Sequence, residues 1–221
     1  SGTGIKMYVG AQSDLQELVT LSGNNCSMVC GAGVDGVGVS ITGTHCLLDG
    51  GGWDTIMDGG TDRYAIEIEG ATRCIVKNIS AQTSAGSGNN LAAILMNGGY
   101  STVDSCRIVD SDREGINITQ TDCKVINNRI EGADNEGIRI NNQRAIVVGN
   151  YVLSAGGDGI RGTNSADNSL IVGNTVKDQS GDSIEITAGG EDCCIVGNRV
   201  DGAVNDLSGT STVADNDAEA F

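Results

Sequence analysis

A nine-residue phrase recurs through the middle of the chain and restricts the fold more than any other sequence feature. Asp110–Ile118 reads DSDREGINI and Gly132–Ile140 reads GADNEGIRI, with an acid, a glycine and two isoleucines at identical offsets. Looser copies follow, and the first isoleucines of the four copies are 22, 22 and 24 residues apart: Ile116, Ile138, Ile160 and Ile184. Repeats of this length with short apolar runs are typical of a solenoid, whose units bury their apolar faces against one another.

A second pattern keeps the same period. Short apolar runs end in asparagine at Asn128, Asn150, Asn174 and Asn198, and Cys106 and Asn78 take the equivalent place upstream. Asparagines at the bends of stacked coils hydrogen-bond along the stack. We therefore interpret these residues, and the nearby Asn127, Asn141 and Asn142, as structural.

The (D/E)-G-I-x-I strand and the strand that ends in G-N resemble those of the right-handed parallel β-helix superfamily, over residues 26–217. That superfamily includes pectate lyases, polygalacturonases, alginate epimerases and many phage tailspikes. The resemblance implies an all-β fold, a single-stranded right-handed parallel β-helix of about eight or nine coils.

The N-terminal region has a different pattern. Residues 5–9 alternate as a short strand, and residues 13–21 have the signals of a helix: a capping box from Ser13 to Gln16, an apolar stripe and Gly23 as a stop. We predict a strand and a capping helix over residues 1–25 and the β-helix domain over residues 26–221.

Composition excludes some classes of function. The net charge of -16 is opposite to the basic footprint that nucleic-acid binders need. No apolar run approaches the roughly 20 residues that span a bilayer, and no charged-then-apolar N-terminal signal is present. We expect neither a nucleic-acid nor a membrane partner.

The eight cysteines allow two interpretations. Cys46, Cys74 and Cys194 lie four residues before the marker positions, where other coils have mostly apolar residues, which favours free, buried thiols. A bridge between Cys26 and Cys46, or between Cys46 and Cys74, stays open because adjacent coils are about 4.8 Å apart. The vicinal Cys193 and Cys194 should point in opposite directions.

Two consecutive coils are longer than the others at one corner. Within residues 51–62 and 79–91 the marker spacing predicts six-residue insertions that stack as a wall beside the helix. Residues in and beside them are candidates for a ligand or partner surface, together with two arginines of the repeat: Trp53, Asp54, Asp58, Asp62, Arg63, Tyr64, Arg139 and Arg161. For Trp53 a second interpretation stays open, in which it packs its loop onto the coil. The acids lack EF-hand-like spacing, so we expect no metal and no cofactor.

An acid precedes each copied strand and forms a column in the stack: Glu114, Glu136, Asp158 and Asp182. One interpretation is structural, because acids before a glycine cap turns and Arg139 and Arg161 follow close enough to neutralise them. The other is catalytic, because carboxyls about 5 to 9.5 Å apart can act as the pair of a glycosidase.

The catalytic signatures of the superfamily are not found. The only histidine, His45, stands in THC and not in the Gly-His-Gly turn of polygalacturonase-like enzymes, and no His–Tyr–acid cluster like that of alginate epimerases is visible. We therefore expect a non-catalytic structural or binding protein of a phage-like virion, a tailspike segment or a capsid-decorating protein. We expect it to form a homotrimer or to bind other virion proteins, and to bind surface polysaccharide. We expect it to be located in the virion or outside the cell. The alternative is a polysaccharide lyase or glycoside hydrolase in which Glu114 and Glu136 form the acid/base pair.

Overall fold

The computed structural model describes residues 6–9, 14–15, 19–31, 35–36, 38–55, 64–83 and 92–218. In these residues the chain forms strands that we number β1 to β29 in chain order, and every pairing is parallel. The strands build three sheets, which we call A, B and C. The chain visits one strand of each sheet in turn and then steps to the next level, as a right-handed parallel β-helix does.

Sheet A has ten described strands: β1 (Lys6–Val9), β4 (Ser27–Cys30), β7 (Leu47–Asp49), β10 (Ile75–Lys77), β13 (Thr102–Asp104), β16 (Lys124–Ile126), β19 (Ile146–Val148), β22 (Leu170–Val172), β25 (Cys194–Val196) and β28 (Thr212–Ala214). Sheet B also has ten described strands: β2 (Asp14–Leu15), β5 (Asp35–Gly36), β8 (Gly52–Thr55), β11 (Ser80–Thr83), β14 (Arg107–Ser111), β17 (Arg129–Ala133), β20 (Tyr151–Leu153), β23 (Thr175–Lys177), β26 (Arg199–Val200) and β29 (Asp217–Ala218). Sheet C has nine described strands: β3 (Val19–Leu21), β6 (Val39–Ile41), β9 (Ile66–Glu69), β12 (Ile94–Asn97), β15 (Ile116–Ile118), β18 (Ile138–Ile140), β21 (Ile160–Gly162), β24 (Ile184–Ile186) and β27 (Val204–Asp206).

The repeated isoleucines form the core. Ile116, Ile138, Ile160 and Ile184 pair in one register along sheet C, and each is fully buried. Alternate residues of a strand point to opposite faces, so the residue between two isoleucines faces outward. Full burial of an isoleucine side chain contributes roughly 1.5 to 3 kcal/mol, and the period of the repeat places one such layer in every coil.

The asparagine ladder is present as predicted, and it forms the bend between sheets A and B. The Nδ2 of Asn150 donates to the Oδ1 of Asn174 at 3.0 Å, and that Oδ1 also accepts the backbone N–H of Asn150 at 2.9 Å. The same pair of bonds joins Asn128 to Asn150 and Asn174 to Asn198. The residue before each asparagine has a positive φ, and this left-handed residue turns the chain from one sheet to the next.

The structure shifts the sequence register by one residue upstream of Cys106. Arg129 donates its backbone N–H to Cys106, and Arg107 donates in the same way to Ile79, so Ile79 and not Asn78 occupies the ladder position. The long coils therefore have 15 residues from Ile79 to Ile94, against 10 from Cys106 to Ile116, and the insertion is five residues and not six.

The register shift also changes the cysteine column. Cys46 and Cys74 align with Cys123 and Cys193, while Cys194 faces outward and is only half-buried. The Sγ atoms of Cys74 and Cys193 lie 3.1 and 3.0 Å from backbone carbonyl oxygens one coil away. All eight cysteines are free thiols, and burial raises the pKa of Cys46 to about 11 and that of Cys106 to about 12.

The prediction of an N-terminal capping helix was wrong. The described residues of that region form β2 and β3, which pair in parallel with β5 and β6, and the described part of the chain contains no helix. β1 pairs with β4 over four residues and is the first described strand of sheet A. The sequence stripe of Leu15, Leu18 and Val19 is therefore compatible with short strands in the described residues as well as with a helix.

The two predicted insertions lie at one corner of the β-helix. The insertions fall between β8 and β9 and between β11 and β12, at the corner from sheet B to sheet C, and residues 56–63 and 84–91 lie outside the described residues. None of the described segments forms a helix that could cross a lipid bilayer.

Candidate functional site

The acid column lies at the corner that leads into sheet C. The register of β15, β18, β21 and β24 stacks the four acids predicted from the sequence, Glu114, Glu136, Asp158 and Asp182, at one level each. The backbone N–H of Gly115 donates to the carbonyl of Glu136 in the next coil, and Gly137 and Gly159 repeat this bond. A Cβ on Gly115 would lie 2.5 Å from Ile130 Cγ2 and 2.7 Å from the Gly137 oxygen. Glycine is therefore required here by the close approach of neighbouring coils.

Glu114 and Glu136 are buried, and each is held by arginine. The side chains are 1 and 3% exposed, respectively. Arg113 Nε and Arg139 Nη1 lie 3.0 and 3.1 Å from Glu114 Oε1. Arg161 Nη1 lies 3.2 Å from Glu136 Oε1, and Arg139 Nη1 is 3.9 Å from Glu136 Oε2. A buried carboxylate needs such a partner because its transfer out of water is costly.

The shortest ion pairs of Arg139 and Arg161 run between coils. Arg139 and Arg161 occupy the outward middle position of β18 and β21, and they pair in register with each other. Each guanidinium reaches back to the acid of the preceding coil, Arg139 to Glu114 and Arg161 to Glu136. Arg139 and Arg161 thus contact the acids as the sequence predicted. For each arginine, however, the acid of the preceding coil is closer than the acid three residues earlier in the chain.

The other end of the column has a different composition. The outward position of β24 is Glu185 and not arginine, and it pairs in register with Arg161. One oxygen from each of Asp158, Asp182 and Glu185 lies within 4.8 Å of the others. Asp158 accepts the backbone N–H of Asp182 at 2.8 Å, and Arg161 Nε lies 3.3 Å from Glu185 Oε1. We call Asp158, Asp182 and Glu185 the acid triad.

Burial and crowding affect proton binding in the acid triad. Burial raises the pKa of Asp158 above its ordinary value, although the Asp182 backbone N–H and Arg161 oppose this shift. Burial, followed by the charge of Asp158, raises the pKa of Glu185. Three half-buried carboxyls at this spacing could coordinate a divalent cation, but the guanidinium of Arg161 already lies among them.

The remaining predicted surface residues do not form one site in the described residues. Trp53 is 1% exposed and faces inward on β8, where its Nε1 lies 3.3 Å from the Gly50 oxygen, so its predicted role as a ligand surface is corrected to core packing. Asp54 is described only as part of β8, and Tyr64 is half-buried. Asp58, Asp62 and Arg63 lie outside the described residues.

Two residues of this region were missed by sequence reasoning. Glu185 does not belong to the repeated acid before each strand, and the signal that could have found it is the middle residue of each sheet C strand, which aligns in one register: Asn117, Arg139, Arg161 and Glu185. Arg113 lines an open depression of about 440 Å³ beside the column, with Asp112, Asp134 and Asn135 as the other lining residues. This depression is polar and carries both signs of charge.

Comparison with known proteins gives the family and the fold. The family model described as "Right handed beta helix region" matches residues 1–200. ORF18 of Geobacillus virus E2 is similar in structure, with a TM-score of 0.65 and 11% identity, over 98% of this chain and 52% of that one. The A-module of the mannuronan C-5 epimerase AlgE6 of Azotobacter vinelandii is similar with a TM-score of 0.52 and 12% identity, over 96% of this chain and 84% of that one. No curated protein sequence matches the chain. At these identities the structural likeness shows the fold alone, and this chain spans about half the length of the viral protein.

Proposed function

This chain belongs to the right-handed β-helix family, and we propose that it is a non-catalytic structural or binding protein of a phage-like virion. Within such a particle it would be a tailspike segment or a capsid-decorating protein. The observation that carries the proposal is the pairing of the acid column. The buried carboxylate of Glu114 pairs with Arg113 beside it and with Arg139 of the next coil. The buried carboxylate of Glu136 pairs with Arg161 of the next coil.

The pairing argues against catalysis by Glu114 and Glu136. A general acid or base must lie within hydrogen-bond reach of the atom that it protonates or deprotonates. These two side chains are almost inaccessible, and the guanidiniums of Arg139 and Arg161 contact their carboxylate oxygens. Their role is to neutralise the stacked arginines and to fix the corner of each coil.

The virion assignment is supported by analogy. ORF18 of Geobacillus virus E2 aligns with nearly the whole of this chain, and it is a viral protein. The proposed partners are further copies of this chain in a homotrimer, other virion proteins and surface polysaccharide. The proposed location is the virion or the extracellular space.

A product assay tests the proposal. The purified protein is incubated with acidic and neutral glycans, including uronate polymers, and products are followed by mass spectrometry and by the absorbance of unsaturated uronates. We expect no cleavage, elimination or epimerisation product with any glycan. Turnover of one glycan by the wild-type protein would overturn the non-catalytic assignment.

The alternative function is a polysaccharide lyase or glycoside hydrolase that acts in a side groove. The raised pKa values of Asp158 and Glu185, which burial causes, favour it, because carboxyls whose pKa is raised by their surroundings are candidates for acid catalysis. The fold shared with an epimerase A-module is a second, weaker support. If wild-type turnover is found, its loss in Asp158→Asn and Glu185→Gln, and not in Glu114→Gln, would assign the reaction to the acid triad.

A further inference from the structure

The residue before each sheet A strand forms a column at the corner between sheets C and A. The registers of β4, β7 and β10 make Cys26, Cys46 and Cys74 equivalent, and each of these side chains is at most 4% exposed. The later coils place serine, cysteine or alanine at this position: Ser101, Cys123, Ala145, Ser169, Cys193 and Ser211. In the described coils, thiols therefore occupy consecutive levels of this corner at Cys26, Cys46 and Cys74 alone. We call these three residues the thiol column.

The thiols of the column repeat one conformation. Cys46 Sγ lies 3.1 Å from the carbonyl oxygen of Gly23 in the preceding coil, and Cys74 Sγ lies 3.1 Å from that of Gly43. Each of these sulfurs also lies 3.7 Å from the carbonyl oxygen two residues earlier in its own coil. A Cβ on Gly23 would lie 2.8 Å from Cys26 Sγ and one on Gly43 3.1 Å from Cys46 Sγ, so Cys26 points as Cys46 does. Because the side chains are copies of one another shifted by one coil, consecutive Sγ atoms are about 4.8 Å apart.

This spacing suits an ion between two sulfurs better than it suits a disulfide. A bridged pair has its Cβ atoms about 3.5 to 4.5 Å apart and its sulfurs about 2.05 Å apart. Stacked cysteines of the column keep both pairs of atoms about 4.8 Å apart. The midpoint between two such sulfurs is about 2.4 Å from each, and a zinc–thiolate bond is about 2.3 Å long. An ion of similar size therefore fits between two thiolates while the coils stay in place.

The ligands available select the kind of ion. Structural zinc takes four ligands in a tetrahedron, and the described residues contain no group of three or more His, Cys, Asp or Glu ligands that includes a thiol of the column. Burial raises the pKa of Cys46 to about 11, so an ion must bind thiolate strongly to displace the protons at pH 7. Two soft sulfur ligands on opposite sides favour a soft cation, of which Cu(I) is the biological example.

We propose that the thiol column binds one soft cation of the Cu(I) class between two consecutive thiolates, with Cys46 as the ligand common to both possible pairs. Two thiols release their protons to the solvent, and no electron is transferred. The ion joins neighbouring coils of the folded stack, so it stabilises the first coils against unfolding. The proposal departs from the sequence expectation of no metal, which rested on the spacing of the acids in the insertions. It is independent of the proposed virion function.

Cu(I) binding by the full chain tests the site. Cu(I) is added without oxygen and with a reductant, both to the folded protein and during refolding from denaturant, so that burial of the thiols does not decide the result. Competition with a coloured Cu(I) chelator measures the affinity, and X-ray absorption at the copper edge counts the sulfur neighbours. We expect one tightly bound ion per chain with two sulfur neighbours.

Serine variants locate the ion. Cys46→Ser leaves no two thiols of the column at consecutive levels, and serine is native and buried at Ser101 and Ser169, so the variant should keep its fold. We expect its affinity for Cu(I) to fall by roughly a hundredfold or more, since a direct ligand is lost. The matched control is Cys123→Ser, which removes a buried thiol of the same corner whose neighbours along the stack are Ser101 and Ala145, and its affinity should equal that of the wild type.

A second control removes thiols at the surface. Cys30 and Cys194 are the half-buried cysteines and are the ones most open to adventitious binding. The Cys30→Ser/Cys194→Ser variant should bind Cu(I) as tightly as the wild type. A loss of binding in this variant would show that the ion is held outside the thiol column and would overturn the proposal.

Two further variants keep the proposal open to refutation if Cys46→Ser fails to fold. Cys26→Ser keeps the pair of Cys46 and Cys74 and should bind, whereas Cys26→Ser/Cys74→Ser isolates Cys46 and should lose the ion. Equal affinities in these two variants, or equal losses in Cys46→Ser and Cys123→Ser, would overturn the site. So would a wild-type protein that binds no Cu(I) under either loading condition, or a copper with other than two sulfur neighbours. The glycan assay judges the proposed function separately from all of these results.

Discussion

The acid column has two ends that differ in chemistry although the same repeat builds both. Glu114 and Glu136 each lie against an arginine from the next coil, at 3.1 and 3.2 Å. Asp158 instead lies beside Glu185, and Asp182 accepts a hydrogen bond from Asn205 Nδ2 at 3.2 Å. The acids occupy equivalent positions, but the first two are buried glutamates and the last two are half-buried aspartates, and the residue one coil further along sheet C changes from arginine to Glu185 or Asn205.

The comparison teaches that a residue's role in this solenoid is set by its neighbour along the stack. Where that neighbour is arginine, the carboxylate is buried and ion-paired. Where it is an acid, three carboxyls lie close together, and burial, with a contribution from the neighbouring carboxylates, raises the pKa values of Asp158 and Glu185. Each prediction below changes one neighbour and measures the consequence.

Loss of Arg161 should have the largest effect, because this arginine lies within 4 Å of acids at both ends of the column. In Arg161→Met, Glu136 keeps only the 3.9 Å contact with Arg139. Breaking a buried pair costs about 3 to 5 kcal/mol, and the 37% exposure of the Arg161 side chain favours the lower value, about 3 kcal/mol. Denaturant unfolding at pH 7 measures the change.

The matched control for this prediction is Arg107→Met. Arg107 pairs with Glu131 at 2.9 Å, but its side chain is 57% exposed, so its loss should cost no more than about 1 kcal/mol. Equal losses of unfolding free energy in Arg161→Met and Arg107→Met would show that the buried ion pairs stabilise the fold no more than the surface pair does.

Replacement of Glu185 by arginine should have an intermediate effect of opposite sign. Glu185→Arg gives β24 the residue that β18 and β21 have at this position, and it places a positive charge one coil beyond Asp158. We expect the free energy of unfolding to rise by about 1 kcal/mol, in the range of a partly exposed charged pair. Glu185→Gln, which only removes the charge, is the control; if it stabilises as much as Glu185→Arg, the ladder does not extend to this end.

The pH dependence of the acid triad should be the smallest effect. A carboxyl whose pKa is higher in the folded state binds its proton more tightly there, so its ionisation lowers stability as the pH rises through the folded pKa. Glu185→Gln should therefore be more stable than the wild type at pH 7, and the difference should shrink as the pH falls towards 4. A difference in unfolding free energy that is the same at pH 7 and pH 4 would contradict the crowding of the triad.

The sequence predicts the core of this fold well because the core is periodic. The spacing of Ile116, Ile138 and Ile160 and the asparagine ladder survive in the structure, since each position repeats a local environment. The predicted helix at residues 13–21 was wrong because a short apolar stripe is compatible both with a helix and with short strands, and residues 14–15 and 19–21 form strands. The one-residue slip at Asn78 arose because Ile79 occupies a ladder position without the asparagine that marks it.

The candidate site was harder to predict because it depends on contacts between coils. Sequence spacing placed Arg139 near Glu136, whereas the structure gives its shorter contact to Glu114. Trp53 is an aromatic residue of the kind that stacks on sugars, but the alternation of side chains along β8 directs it into the core. The contacts of Arg139 and the burial of Trp53 depend on the register between coils and on which side of its strand each residue lies. A single sequence does not show either of these.

The most direct test of the central claim, that the buried acid column is structural and not catalytic, measures melting temperature and glycan turnover together in Glu114→Gln and Glu136→Gln. Each variant leaves an arginine without its buried ionic partner, so we predict a lower melting temperature in both variants, and no product from any glycan in the wild type or the variants. Wild-type turnover that disappears in both variants while their melting temperatures stay unchanged would contradict the account.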